Sequence, residues 1–168
     1  AAGRFGEGDV QWMTAGKGVQ HSEMFPLLST EKENTLELFQ IWLNLPKAKK
    51  IVEPHFKMLW HEDIPVVRTE HARVKVIAGS FGGENAPDSA PNSWASNPEN
   101  HVCILNVHID PKGVFILPNS TSEVNSTLYF YEGDTIQIDG TTIVPDHGIQ
   151  LDAGKEIKIT AGDSQAQL

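Results

Sequence analysis

The sequence predicts an all-β protein, and three observations predict it. Short runs rich in Val, Ile, Thr and aromatic residues recur along the chain, as strands with one or two buried faces require. Gly, Pro, Asn and Asp punctuate those runs at the intervals that turns need. No segment holds a 3.6-residue apolar period over the length of a helix.

Taken in order, 9–14 and 18–25 read as two short strands joined by a turn through Gly16 and Gly18. Residues 26–34 form a polar loop. The stretch 35–45 is the longest strand candidate, apolar on both faces and ended by Pro46, the pattern of a strand covered on two sides. Residues 46–65 carry Pro46, Pro54 and Pro65 with His55, Phe56, Trp60 and His61 between them, and read as a linker docked by its aromatic side chains. A second block opens at Val66 with a strand at 74–78. The loop 79–100, with three glycines and three prolines, is long enough that it is expected to cover something or to work. Strands are then expected at 101–109, 114–117, 126–132, 135–138, 141–144, 149–151 and 155–160, with turns at Glu132-Gly133-Asp134 and Asp139-Gly140.

Thirteen Lys and Arg against 22 Asp and Glu leave a formal charge of −9 over 168 residues, which excludes a phosphate-backbone binder with a basic face. Lys47, Lys49 and Lys50 beside Pro46 are a solvated turn. Cys103 is the single cysteine, so no internal disulfide forms and a reducing compartment is expected; its apolar neighbours predict a buried, inert thiol. No apolar run has the length to cross a bilayer and no signal-peptide pattern is present, so no membrane partner is expected and the expected location is the cytoplasm, or the nucleus in a eukaryote. The sequons at Asn119 and Asn125 are then coincidental.

The stretch 8–24, GDVQWMTAGKGVQHSEM, carries the chemistry. In an extended chain His21 and Glu23 point to the same side, so an imidazole and a carboxylate can reach one metal ion. Spacing alone equally describes a half-exposed strand with two polar residues. His55, His61, His71, His101, His108 and His147 show no chelating spacing and read as surface or interface histidines.

The stretch also repeats. Gly8 is followed after five residues by Thr14-Ala15-Gly16, and Gly154 after five residues by Thr160-Ala161-Gly162, with His21 and Gln165 shortly beyond. The pattern resembles the second motif of the cupin superfamily, with Thr standing for its Pro and with two extra residues between Gly16 and His21. Gly113 and Gly133 fit the outer glycines of the first cupin motif, but Asn119, Thr121 and Ser126 stand at its ligand positions, and these are poor transition-metal donors. With Leu-Phe-Gln-Ile-Trp-Leu-Asn-Leu-Pro-Lys after it and Val-Glu-Pro at 52–54, the whole is similar to the pirin family of bicupins.

That resemblance implies two jelly-roll barrels: the closing half of an N-terminal cupin at 1–50, a docked linker at 51–65, and a metal-free C-terminal cupin at 66–168, truncated at its end. It implies iron in the N-terminal barrel, with His21 and Glu23 matching two of the family's four ligands. The strands with the other two histidines would precede residue 1, so the N-terminal barrel is expected to be incomplete and its iron weakly held or absent in this piece. The implied activity is that of a quercetin 2,3-dioxygenase, with a flavonol-like substrate and Glu23 as a base. The alternative is a redox-responsive, non-enzymatic regulator that binds a transcription or metabolic partner protein and does not touch nucleic acid directly.

Overall fold

The computed structural model describes residues 3–121 and 123–168. Fourteen strands account for nearly all its regular structure: β1 (Val10–Thr14), β2 (His55–Leu59), β3 (Val66–Arg68), β4 (Ala72–Ala78), β5 (Ser80–Phe81), β6 (Glu84–Asn85), β7 (Ile104–Ile109), β8 (Val114–Leu117), β9 (Ser126–Phe130), β10 (Ile136–Ile138), β11 (Thr141–Ile143), β12 (His147–Leu151), β13 (Ile157–Ala161) and β14 (Ala166–Gln167). Helix is confined to three short 3-10 turns at Lys47–Lys49, Trp94–Ser96 and Pro98–Asn100.

The second block forms two antiparallel four-stranded sheets, β3–β4–β7–β14 and β8–β13–β10–β11, with β9 and β12 as a further pair. The alternation of β4, β7 and β13 puts Ala72, Val74, Val107, Ile109, Ile157 and Ile159 on inward faces, where they meet Phe115, Phe130, Ile136 and Leu168 in one core. Ile159 lies opposite Phe115 on one side and Ile138 on the other, so three core residues form a row across the sheet. Burial of such rows supplies the main favourable term of the fold.

The N-terminal stretch enters through β1, which pairs antiparallel with β2 from Val10↔Leu59 to Thr14↔His55. The inner face of this ladder contributes Trp12 and Leu59 to a second, smaller core with Ile64, Ala78 and Ala90. The loop 79–100 covers that face, as its length suggests: Trp12 Nε1 donates to Ser93 Oγ at 3.1 Å and Thr14 Oγ1 to the Pro91 carbonyl at 2.8 Å. The 55–59 part of the presumed linker is therefore a strand.

Strands at 74–78, 101–109, 114–117, 126–132, 135–138, 141–144, 149–151 and 155–160 are all found with small shifts of their ends. Those at 18–25 and 35–45 are not. Both stretches are largely exposed and have no ladder partners among the described residues, and a strand exists only where a neighbour takes its backbone hydrogen bonds. The polar loop between them is closed by Asn34, whose Oδ1 accepts from the Leu28 and Ser29 N–H groups at 2.9 Å. Cys103 is exposed rather than buried, because β7 starts one residue later and the cysteine lies over Gly79. Partial desolvation still pushes its thiol pKa up.

Ile159 has no exposed surface and lies in the main core. Ile159→Ala should therefore cost about 3 kcal/mol of unfolding free energy, read as a lowered urea midpoint at unchanged slope.

Candidate metal site

The site is delivered by the β1–β2 ladder. At one end of the ladder the chain turns at Gly16, whose φ of +49° favours glycine and whose Cα faces the Val52 carbonyl so closely that a Cβ would collide with it. Lys17 N–H donates to the same carbonyl at 2.9 Å. Beyond this turn the chain leaves β2, and His21 and Glu23 follow on an exposed stretch outside any strand. No third His, Cys, Asp or Glu among the described residues joins them within ligand reach. In the second block, of the three positions between Gly113 and Gly133 that match the first cupin motif, Asn119 and Thr121 precede β9 and Ser126 opens it.

At the other end the structure brings together a group that the sequence separates by 52 residues. Asp9, just ahead of β1, meets His61 and Glu62, just after β2. Asp9 Oδ1 accepts from the His61 backbone N–H at 2.8 Å and lies 3.1 Å from His61 Nδ1; Glu62 Oε2 is 3.2 Å from the same nitrogen. Asp9 Oδ2 accepts from the Gly6 N–H at 3.2 Å. Desolvation pushes the Asp9 carboxyl upward, but the His61 and Gly6 N–H groups and the His61 ring outweigh it and hold the pKa below the ordinary carboxylate value. Nothing in the spacing of His61 hints at this, since its partner Asp9 comes from strand register rather than local order.

The segment 35–45 is held at two points. Phe39 packs edge-on against Tyr131 with ring centres 4.7 Å apart, and Leu43 touches the smaller core. Tyr131 belongs to a polar row on the outer side of the sandwich: Asn106 Nδ2 donates to Tyr131 Oη at 2.9 Å, and Tyr131 Oη donates to Gln167 Oε1 at 3.2 Å. His108, beside Asn106, has its pKa pushed down by burial and by the adjacent Arg73.

Against known structures the chain aligns over 95% of its length with a quercetin 2,3-dioxygenase from Acinetobacter baumannii, at a TM-score of 0.65, 17% identity and 53% coverage of that chain. It is thus an all-β protein of the cupin type. The family model for pirin matches residues 1–43. A putative pirin-like protein of Arabidopsis thaliana is 30% identical over 155 residues, 83% of this chain and 55% of that one. A putative quercetin 2,3-dioxygenase of Pseudomonas aeruginosa is 40% identical over 89 residues, 52% of this chain and 31% of the relative. Over these matches the chain is similar to the pirin family, and it spans from about a quarter to just over half the length of the curated relatives it matches.

A carboxyl whose pKa is lowered on folding stabilises the fold above its unfolded value near about 3.9, and that contribution is lost as pH falls through the folded value. Asp9→Asn should accordingly flatten the acid limb of stability below about pH 4. It should also cost about 1–2 kcal/mol at neutral pH, where charge-assisted hydrogen bonds are replaced by neutral ones. Urea unfolding from pH 2 to 7 measures both.

Proposed function

We propose that His21 and Glu23 are iron ligands of a pirin-type cupin centre acting as a quercetin 2,3-dioxygenase. The observation that supports this reading is His21-Ser22-Glu23 behind the Gly8-to-Gly16 motif, inside the stretch that the pirin family model matches; relatives that carry the quercetinase name give it a substrate class. An imidazole and a carboxylate are a donor set that suits iron. Two donors on an exposed, unpaired stretch are half of a strong site, since affinity follows ligand count and preorganisation. The remaining donors must come from groups that the described residues do not bring to His21.

Iron, when bound, supplies open coordination positions to a flavonol oxygen and O2. The residues of this chain have simpler tasks. His21 is the imidazole donor, and the Gly16 turn sets the direction in which its segment leaves the ladder. Glu23 alternates between ligand and base, and can take the hydroxyl proton of a flavonol on its carboxylate. The ladder and the second block anchor the start of this stretch, in a division into 1–50, 51–65 and 66–168. The single cysteine suits a reducing compartment such as the cytoplasm or nucleus; among the described residues no helix is long and apolar enough to cross a membrane.

A second reading is favoured by one feature. Leu36, Leu38, Phe39, Ile41 and Trp42 are all exposed, Trp42 at 85%, and a contiguous apolar stretch of this kind suits a protein partner. In that reading the chain is a regulator whose partner senses the oxidation state of the iron.

Oxygen uptake with quercetin by the iron-loaded protein should fall at least about tenfold in His21→Ala; equal rates in the two proteins would remove the dioxygenase. Pull-downs with ferric and ferrous protein that recover identical partners would count against the regulator.

A further inference from the structure

We propose that Asp9, His61 and Glu62 form a second cation site, separate from His21 and Glu23, which takes a divalent transition metal of the zinc class and staples β1 to β2.

The geometry carries the proposal. Two donors bound to one ion at about 2.1 Å, with an angle of about 95–100° between them, stand about 3.1–3.2 Å apart. His61 Nδ1 stands 3.1 Å from Asp9 Oδ1 and 3.2 Å from Glu62 Oε2, and the three ligand atoms lie within 4.8 Å of one another. A small opening of the Glu62 side chain toward tetrahedral angles leaves the fourth position to water. The donor types, one imidazole nitrogen and two carboxylate oxygens, are those of borderline divalent cations. Two carboxylates neutralise the ion's double charge, which the imidazole alone cannot do for the carboxylates.

The outer contacts are already set. The Asp9 side chain is only 12% exposed, and the Gly6 and His61 N–H groups orient both of its oxygens, as carboxylate ligands in metal sites are oriented by hydrogen bonds behind them. One contact opposes the ion: the Lys75 ammonium packs on Gly8, next to Asp9. His61 and Glu62 are exposed, so the ion exchanges with solvent.

The position gives the site its use. It closes the end of the ladder beyond Val10↔Leu59, opposite the end from which the His21 segment departs. A metal here fastens a loop of 52 residues whose closure entropy the folded state must otherwise meet by packing alone.

Zinc titrated calorimetrically into chelator-treated protein tests the proposal, with the thermal midpoint followed in parallel. One saturable equivalent is expected, with a rise in midpoint as zinc increases. Asp9→Asn and His61→Gln should each weaken binding at least about tenfold, whereas His21→Ala with Glu23→Gln should leave this event unchanged. Lys75→Met should tighten it. Midpoints recorded without metal show whether each variant is folded, and 15N shifts of the His61 ring in the wild-type chain give a second reading: zinc should displace the Nδ1 proton to solvent and move the Nδ1 shift, with the ring proton of the bound form on Nε2. Absence of saturable binding, binding indifferent to Asp9→Asn and His61→Gln, an unmoved His61 Nδ1, or loss of the event in the His21/Glu23 double variant would each overturn it.

Discussion

Everything placed in the N-terminal third of this chain depends on the pairing of β1 with β2. Five residue pairs from Val10↔Leu59 to Thr14↔His55 set the register, and an antiparallel register has no freedom to slip by one residue without turning each side chain to the other face. Trp12 makes such a slip expensive, because its ring belongs to the smaller core and its Nε1 has a partner in Ser93. The same register puts Asp9 beside His61 and the Gly16 turn beside Val52. Both ends of the ladder thus follow from one fitted indole in its middle.

The two copies of the Gly-to-Thr-Ala-Gly motif use this kind of strand in opposite ways. In β13 the buried residues are Ile157, Ile159 and Ala161, on the face that looks into the sandwich. The equivalent positions in β1 are Gln11, Met13 and Ala15, and it is the reverse face, Trp12 and Thr14, that is buried. The first copy therefore packs its back against the second block and leaves its motif face half-buried at Gln11 and Met13. A polar glutamine and an adaptable methionine stand there where the second copy has two isoleucines. A filled interior asks for the isoleucines, and a face turned toward a ligand site asks for the other pair.

Most of the architecture was legible because alternation and turn chemistry act locally. Ile157-Lys-Ile-Thr-Ala declares one buried face, and Asp139-Gly140 declares the hairpin between β10 and β11. The same signals in Leu36-Glu-Leu-Phe-Gln-Ile-Trp led to a strand that has no ladder, since hydrophobicity records what a segment needs to bury and not whether a neighbour is there to cover it. For the site, His21 and Glu23 were visible as a pair through their spacing and the family pattern, whereas Asp9 and His61 were not. Their proximity is created by the β1–β2 register over 52 residues, which local patterning does not encode.

The exposed segment and the two ligands pose one physical problem. Met24 at 88% exposure, Leu27, Leu28, Leu36, Ile41 and Trp42 share with His21 and Glu23 a stretch that no strand ladder pairs among the described residues. A surface that supplied strand pairing to 18–25 and 35–45 would bury these apolar groups and dry the neighbourhood of the ligands in the same step. Drying strengthens a carboxylate–metal bond, because the attraction grows as the effective dielectric falls. It also aligns His21 and Glu23, whose common face exists only while the backbone stays extended. On the proposed reading of His21 and Glu23, the order of the two side chains, their affinity for a metal and cover of the apolar face are coupled, and the ladder behind Gly16 is the anchor from which that coupling can act.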